Sequence, residues 1–361
     1  MTRLVVCCDG TWNRPDQVSP TNVSKVALGV AGVGADGVAQ ALYYHRGVGT
    51  SRSERLTGGA FGFGLSRNVR DCYRFVVERY EPGDELYFFG FSRGAFTARS
   101  TVGLIRNAGI LRPPHADHLD EAYRLYRSGG SARSPTGLEA ELFRRSFSHS
   151  EVRIHFVGVW DTVGALGIPG LPPRLARGRW GFHDTKLSSY VDFAYQALAI
   201  DEQRRPFRAT LWERQEHADE QVLEQLWFAG VHSDVGGGYP DPSLSEIALL
   251  WMVERARRCG LHFTDGAFTE VPAAAGEPRR RGSEVSPSAL GPITNSRKGV
   301  YRLVKAYHRP LLDPPPDQTC ARVSSTAVAR ADDGTVEYEP ANLTAYRAAG
   351  GSIVPVDIGV A

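Results

Sequence analysis

The order of apolar and polar positions divides the chain into short runs that alternate between two periods. Leu4 to Cys8 is a continuous β-branched and apolar run stopped by Asp9-Gly10-Thr11, the mark of a strand buried on both faces. Ala41 to Tyr44 predicts a second strand, ended by Arg46-Gly47-Val48-Gly49. Beyond a glycine-rich segment, Gly58 to Gly64, the residues Val69, Cys72, Tyr73, Val76, Val77 and Tyr80 recur at helical spacing. Pro82-Gly83-Asp84 stops that helix. Glu85 to Phe89 then predicts a strand, and Ala95 to Asn107 a helix with Ala95, Ala98, Val102 and Ile105 on one side. Weaker helical patterns run from Leu119 to Arg127 and from Gly137 to Phe147. Val152 to Trp160 is a strong strand ended by Asp161. Tyr190 to Ile200 reads as a helix, Gln225 to Val231 as a strand and Leu244 to Arg258 as a helix. This alternation predicts an α/β fold, a mostly parallel central sheet with helices on both faces.

Two segments break the rhythm. Ile168 to Asp184 is rich in Pro, Gly and Arg, and Phe268 to Gly299 holds Arg279-Arg280-Arg281 amid Pro, Gly and Ser. Loop and helical insertions of this length serve as lids or stay disordered. The stretch after Val300 is weakly patterned, and no internal repeat stands out. The expected organisation is a catalytic unit over residues 1–262, with an insertion at about 164–188. A loop-rich extension over 263–361 is expected to pack on it.

Composition narrows the class. With 361 residues, 42% hydrophobic and 23% charged, the chain can bury an enzyme-sized core. A net charge of +2 argues against a partner held by phosphate neutralisation, so no nucleic acid is expected. The five cysteines include no CxxC pair, which supports neither a disulfide framework nor a zinc site; no cofactor or metal is expected. The apolar run at the N-terminus is too short for a signal peptide, and no run approaches a membrane span. The expectation is a protein that is cytoplasmic as synthesised, with any export signal-peptide-independent.

The candidate chemistry sits on strand ends. Gly90-Phe91-Ser92-Arg93-Gly94 has the G-x-S-x-G pattern between a predicted strand and a predicted helix. A turn that tight strains the serine backbone and leaves no room for Cβ atoms two residues away, which Gly90 and Gly94 satisfy. Ser92 is thereby expected to stand at a helix N-terminus, the nucleophile of an acyl-transfer site, with the Arg93 amide facing a developing oxyanion. A serine needs a base and the base an orienting carboxylate. Asp161 and His232 follow in that order, each at the carboxyl end of a predicted strand, where a parallel sheet keeps its ligands. Of the ten histidines only His45, also after a strand, competes as base. Asp234, two residues beyond His232, is a rival acid or a local cap, and Gly236-Gly237-Gly238 would let backbone approach a substrate or turn sharply. Asp9 is expected to shape the first loop, so that the Gly10 and Thr11 amides complete the oxyanion hole.

These residues carry a resemblance. Cys8-Asp9-Gly10-Thr11-Trp12-Asn13, Gly47-Val48-Gly49-Thr50, Gly90-Phe91-Ser92-Arg93-Gly94-Ala95, Val159-Trp160-Asp161-Thr162-Val163 and the segment from Gly230 to Tyr239 resemble a family of α/β-hydrolase domains. That family includes the type VI secretion phospholipase effectors. Ala199-Ile200-Asp201-Glu202 with Arg205 also fits its pattern, whereas Gln196 and Ala229 depart from its usual histidine and proline. The resemblance implies an α/β-hydrolase-like fold, Ser92, Asp161 and His232 as the triad, and hydrolysis of phospholipid or other lipid acyl esters. The partner it implies is a lipid or small ester. The basic segment Arg279–Arg281 reads first as a solvated loop and second as a transient contact for an anionic membrane surface. Two other readings stand beside it: a metal-dependent phosphoesterase built on Asp9, Asp161, His232 and Asp234, and a catalytically idle binding module on the same fold.

Overall fold

In the computed structural model, residues 1–10, 19–47, 60–128, 130–164, 186–216, 218, 220–270 and 284–357 are described. The first strand sets the frame. β1 (Thr2–Cys8) is buried along nearly its whole length, with β2 (Ala39–His45) and β3 (Glu85–Phe91) parallel on either side. β4 (Ile154–Trp160), β5 (Val191–Ala199) and β6 (Val222–Phe228) extend the sheet beyond β3. β7 (Thr269–Glu270) and β8 (Glu284–Val285) form a separate pair, and β9 (Ala321–Ser324) with β10 (Ile353–Val354) completes the main sheet. The order is β10-β9-β6-β5-β4-β3-β1-β2, with every pairing parallel. From β1 the chain moves first to one side and then, through β3, to the other, so the ends of β1 and β3 border a topological switch point, where open α/β sheets bind ligands.

Side-chain alternation distributes the strands between two helical layers. Leu4, Val6, Leu86 and Phe88 pack on Val69, Tyr73 and Val76 of α2 (Ala60–Arg79) and on Ala98, Val102 and Ile105 of α3 (Arg93–Ala108). α4 (Leu119–Arg127) and α5 (Leu138–Phe147) widen that layer through Leu119 and Phe143. On the opposite face Val5, Phe89, Phe156 and Trp160 meet Val23 and Val26 of α1 (Asn22–Gly29) and Ile247 and Trp251 of α7 (Ser243–Arg258). Each such large apolar side chain contributes about 1.5–3 kcal/mol on burial. Between β6 and α7 lies a single short helix, α6 (His232–Gly236). No helix among the described residues is long and apolar enough to cross a membrane.

Three sequence expectations change. The segment from Tyr190 to Ile200 is strand β5, not a helix. Its Ala, Gln and Leu residues favour helices, but it lies between β4 and β6 and pairs with both, and that tertiary position overrides propensity. β6 begins and ends three residues before the predicted strand, because Gly230, at φ +110°, turns the chain ahead of His232. The third change concerns the weakly patterned stretch after 300. It supplies β9, α8 (Ser325–Asp332) and α9 (Ala341–Ala348), which close a third core around Trp227, Val323 and Tyr346, and β10, whose Val354 packs with the Trp160 face of the sheet. The insertion expected at about 164–188 falls, from 165 to 185, outside the described residues, as does Arg279-Arg280-Arg281.

Candidate active site

Ser92 follows β3 directly and opens α3. Its backbone sits at φ 59°, ψ −119°, a conformation that an L-residue reaches only under strain. Two hydrogen bonds fix the turn: the Ser92 amide donates to the Trp160 carbonyl, and the Phe96 amide to the Ser92 carbonyl (3.1 and 3.2 Å). The flanking glycines answer to close packing. A Cβ at Gly90 would lie 2.6 Å from Ala95 Cα, and one at Gly94 would lie 2.0 Å from the Cys8 carbonyl oxygen. The loop leaving β1 therefore rests against the turn that carries Ser92.

Asp161 follows β4 at φ 40°, and its amide bonds the Ala197 carbonyl of β5. His232 is the first residue of α6, and its amide donates to Glu202 Oε2 at 3.3 Å. The three side chains meet although far apart in sequence: His232 Nε2 lies 2.8 Å from Ser92 Oγ, and His232 Nδ1 lies 2.6 Å from Asp161 Oδ2. All three residues are buried. The rings of Phe91 and Phe207 flank the imidazole, with centroids 4.7 and 5.0 Å away.

Asp161 has a further partner that no sequence motif marks. Arg309 places Nη1 2.5 Å from Oδ1 and Nη2 2.9 Å from Oδ2, while the Ala199 amide donates to Oδ1 at 3.0 Å. Burial pushes the Asp161 carboxyl up, but the Arg309 charge and the His232 bond outweigh it and hold the group well below the usual carboxylate range. An ionised carboxylate can only accept, so it fixes the proton of a neutral His232 on Nδ1 and leaves Nε2 as the basic atom facing Ser92.

The remaining candidates take other places. Asp9 is buried and accepts from Tyr44, Ser24 and Thr21 hydroxyls at 2.6, 2.7 and 2.8 Å, bonds that oppose the upward push of burial on its carboxyl. It ties the end of β1 to α1 and β2. The Gly10 amide donates to Asp9 Oδ1 at 2.6 Å. Thr11 lies outside the described residues. Arg93 stands in the first turn of α3. Asp234 accepts from the Val231 and Thr294 amides, both at 3.0 Å, and acts as the cap of α6. His45 reaches Asp71 at 3.8 Å, and its ring centroid lies 6.1 Å from that of Tyr43. Gly237 and Gly238, at φ 83° and 106°, turn the chain after α6.

Asp9, Asp161, His232 and Asp234 do not gather into one ligand set. Each carboxylate is engaged by its own donors, and among the described residues no three His, Cys, Asp or Glu side chains are placed to hold a metal ion. Gln196 lies in a buried polar network with Thr162 and Gln225. Asp201 accepts from the Gly230 amide and the Tyr338 hydroxyl, and Glu202, which accepts the His232 amide, pairs with Arg204 at 2.8 Å.

An eight-stranded parallel sheet with helices on both faces, and a serine, histidine and aspartate joined at its carboxyl edge, is an α/β-hydrolase-like architecture. A family model for the catalytic domain of Tle1-like phospholipase effectors of the type VI secretion system matches residues 2–255, and the chain belongs to that family. The uncharacterized protein YEL023C of Saccharomyces cerevisiae is 30% identical over 226 residues, which are 57% of this chain and 32% of that protein. This chain thus spans about a third of that relative's length. Two solved structures are similar. A crystal structure of an uncharacterized protein from Pseudomonas aeruginosa shares 19% identity over 73% of this chain and 46% of that one, with a TM-score of 0.43. The Tle1 effector bound to the VgrG spike of the type 6 secretion system shares 18% over 66% and 51%, with a TM-score of 0.35.

Proposed function

We propose that this chain is a serine hydrolase that cleaves lipid acyl esters, phospholipids foremost, through an acyl-enzyme. The observation that carries this reading is the hydrogen-bonded line from Ser92 through His232 to Asp161, mounted on a strained turn at the start of α3. His232 Nε2 takes the hydroxyl proton as Ser92 Oγ attacks the ester carbonyl carbon. The same proton passes to the departing alcohol oxygen as the ester bond breaks. Water, deprotonated by His232, then releases the fatty acid and restores the serine. The oxyanion forms beside the first turn of α3, where the Arg93 amide and the helix dipole stabilise it. Thr11, two residues beyond Asp9, is the candidate second donor. The lipid part of the reading rests on family membership, and it brings contact with a lipid surface during turnover.

The test pairs a fluorophosphonate probe with lipid-product mass spectrometry. Wild type should be labelled and should release fatty acid from phospholipid vesicles. Ser92→Ala should lose the label and about 10⁴-fold or more of the rate, since removing the nucleophile disables the whole triad. Equal labelling of both proteins would overturn the proposal. A chelator-sensitive activity that survives Ser92→Ala would point instead to the metal-dependent phosphoesterase.

A further inference from the structure

Arg309 comes from outside the family-matched segment, yet its side chain is one of the most deeply buried charges in the molecule, at 1% exposure. Its two terminal nitrogens face the two Asp161 oxygens, the fork geometry that guanidinium and carboxylate share. The same nitrogens also donate to the Ala199 and Phe207 carbonyls. Phe207 is in turn one of the two rings against His232. One guanidinium therefore fastens the acid, the end of β5 and the backing of the base.

Charge gives this fastening a second effect. Asp161 Oδ2 lies 2.6 Å from His232 Nδ1 and 2.9 Å from Arg309 Nη2. Protonating His232 would set two cations against one oxygen among buried side chains. The other charges nearby are largely matched. Glu202, which accepts the His232 amide, is paired with Arg204, and Asp234 is held by two backbone amides. Tyr239 follows the glycine turn after α6, and the groove beside Arg309 holds Arg205, Arg208, Glu213 and Asp313.

We propose, resting on the serine-hydrolase reading, that Arg309 is a positioning residue: it locks Asp161 in place and takes up part of its charge, so that His232 remains a free base at lower pH than Asp161 alone would allow. The role is one of alignment and charge, and Arg309 need not touch substrate.

The experiment compares full-length wild type, Arg309→Gln and Arg309→Lys. The His232 imidazole is titrated by NMR and assigned by the resonance lost in His232→Gln. In Arg309→Gln, which keeps donors but loses the charge, His232 should gain protons about one pH unit higher than in wild type. The acid limb of kcat/KM should move with it. Arg309→Lys should move both less, because the charge stays while the second contact is lost. A purely structural role would lower melting temperature and rate at every pH without moving the titration. An unchanged His232 titration in Arg309→Gln overturns the proposal. Should that variant fail to fold, a limb in Arg309→Lys identical to wild type overturns it instead. Fluorophosphonate labelling of Ser92 separates the two readings. Labelled protein with no shift defeats only the Arg309 role, and a shift in unlabelled protein defeats only the hydrolase.

Discussion

Two residues in this site sit where L-amino acids seldom go, Ser92 at φ 59° and Asp161 at φ 40°. Each follows a strand directly, so each has a hydrogen-bonded ladder behind it; Ser92 also has α3 ahead, and the Asp161 amide bonds the Ala197 carbonyl of β5. Such strain persists because the surroundings over-determine it, and here it projects a hydroxyl and a carboxylate past the sheet edge. The cost of loosening the turn can be read at Gly94. Gly94→Ala puts a methyl 2.0 Å from the Cys8 carbonyl and 2.5 Å from that of Asp9, both of them backbone atoms. Overpacking against backbone that cannot yield should destabilise the protein by about 3 kcal/mol. Chemical denaturation measures that loss. Because the loop after β1 would be pushed away, labelling of Ser92 should also slow in whatever fraction stays folded.

Elements explain why much of this site could be read in advance. In a parallel sheet functional side chains collect where strands end, and the motifs around Asp9, Ser92 and Asp161 each stop an apolar run. His232 is four residues past its strand, but the glycine turn and its capping aspartate kept the segment conspicuous. β5 escaped because Gln196, a polar residue at the centre of the sheet, breaks the apolar pattern that would have marked a strand. Arg309 escaped for a different reason. A lone arginine before a proline has no local signature, and its role exists only through contacts with elements more than a hundred residues away. The loop after β5 yields a prediction in pH. Burial pushes the Asp201 carboxyl up to about 6, although the Gly230 amide and Tyr338 hydroxyl oppose it. A carboxyl raised on folding binds more protons in the folded than in the unfolded state between its two pKa values. Its contribution to stability therefore falls as pH rises from about 4 to about 6, and the full penalty is present above that. Asp201→Asn removes this titration and can still accept both hydrogen bonds. Denaturant melts at pH 4, 5, 6 and 7 should show the variant gaining on wild type as pH rises, and a constant difference would refute the assignment.

At the scale of the whole molecule, the matched family segment and the folded unit have different limits. The match ends at residue 255, yet the sheet continues through β9 to β10 at Val354. Trp227, on β6, is almost fully buried by a core that draws Leu311, Val323, Leu343 and Tyr346 from the last part of the chain. Removing residues 263–361 would expose that tryptophan and leave β6 as an open apolar edge, a template for pairing between molecules. It would also take away Thr294, whose amide donates to the capping Asp234, and Tyr338, whose hydroxyl donates to Asp201. Arg309 would go with them, leaving Asp161 buried without its cation. We therefore propose that the catalytic unit runs past residue 262 and that the C-terminal stretch is an integral part of it. A chain ending at 262 should aggregate or melt far below wild type and should take up no fluorophosphonate. If size-exclusion chromatography instead showed a folded monomer that labels at Ser92 as fast as the full chain, the C-terminal strands would be an appendage, and the triad would align without Arg309.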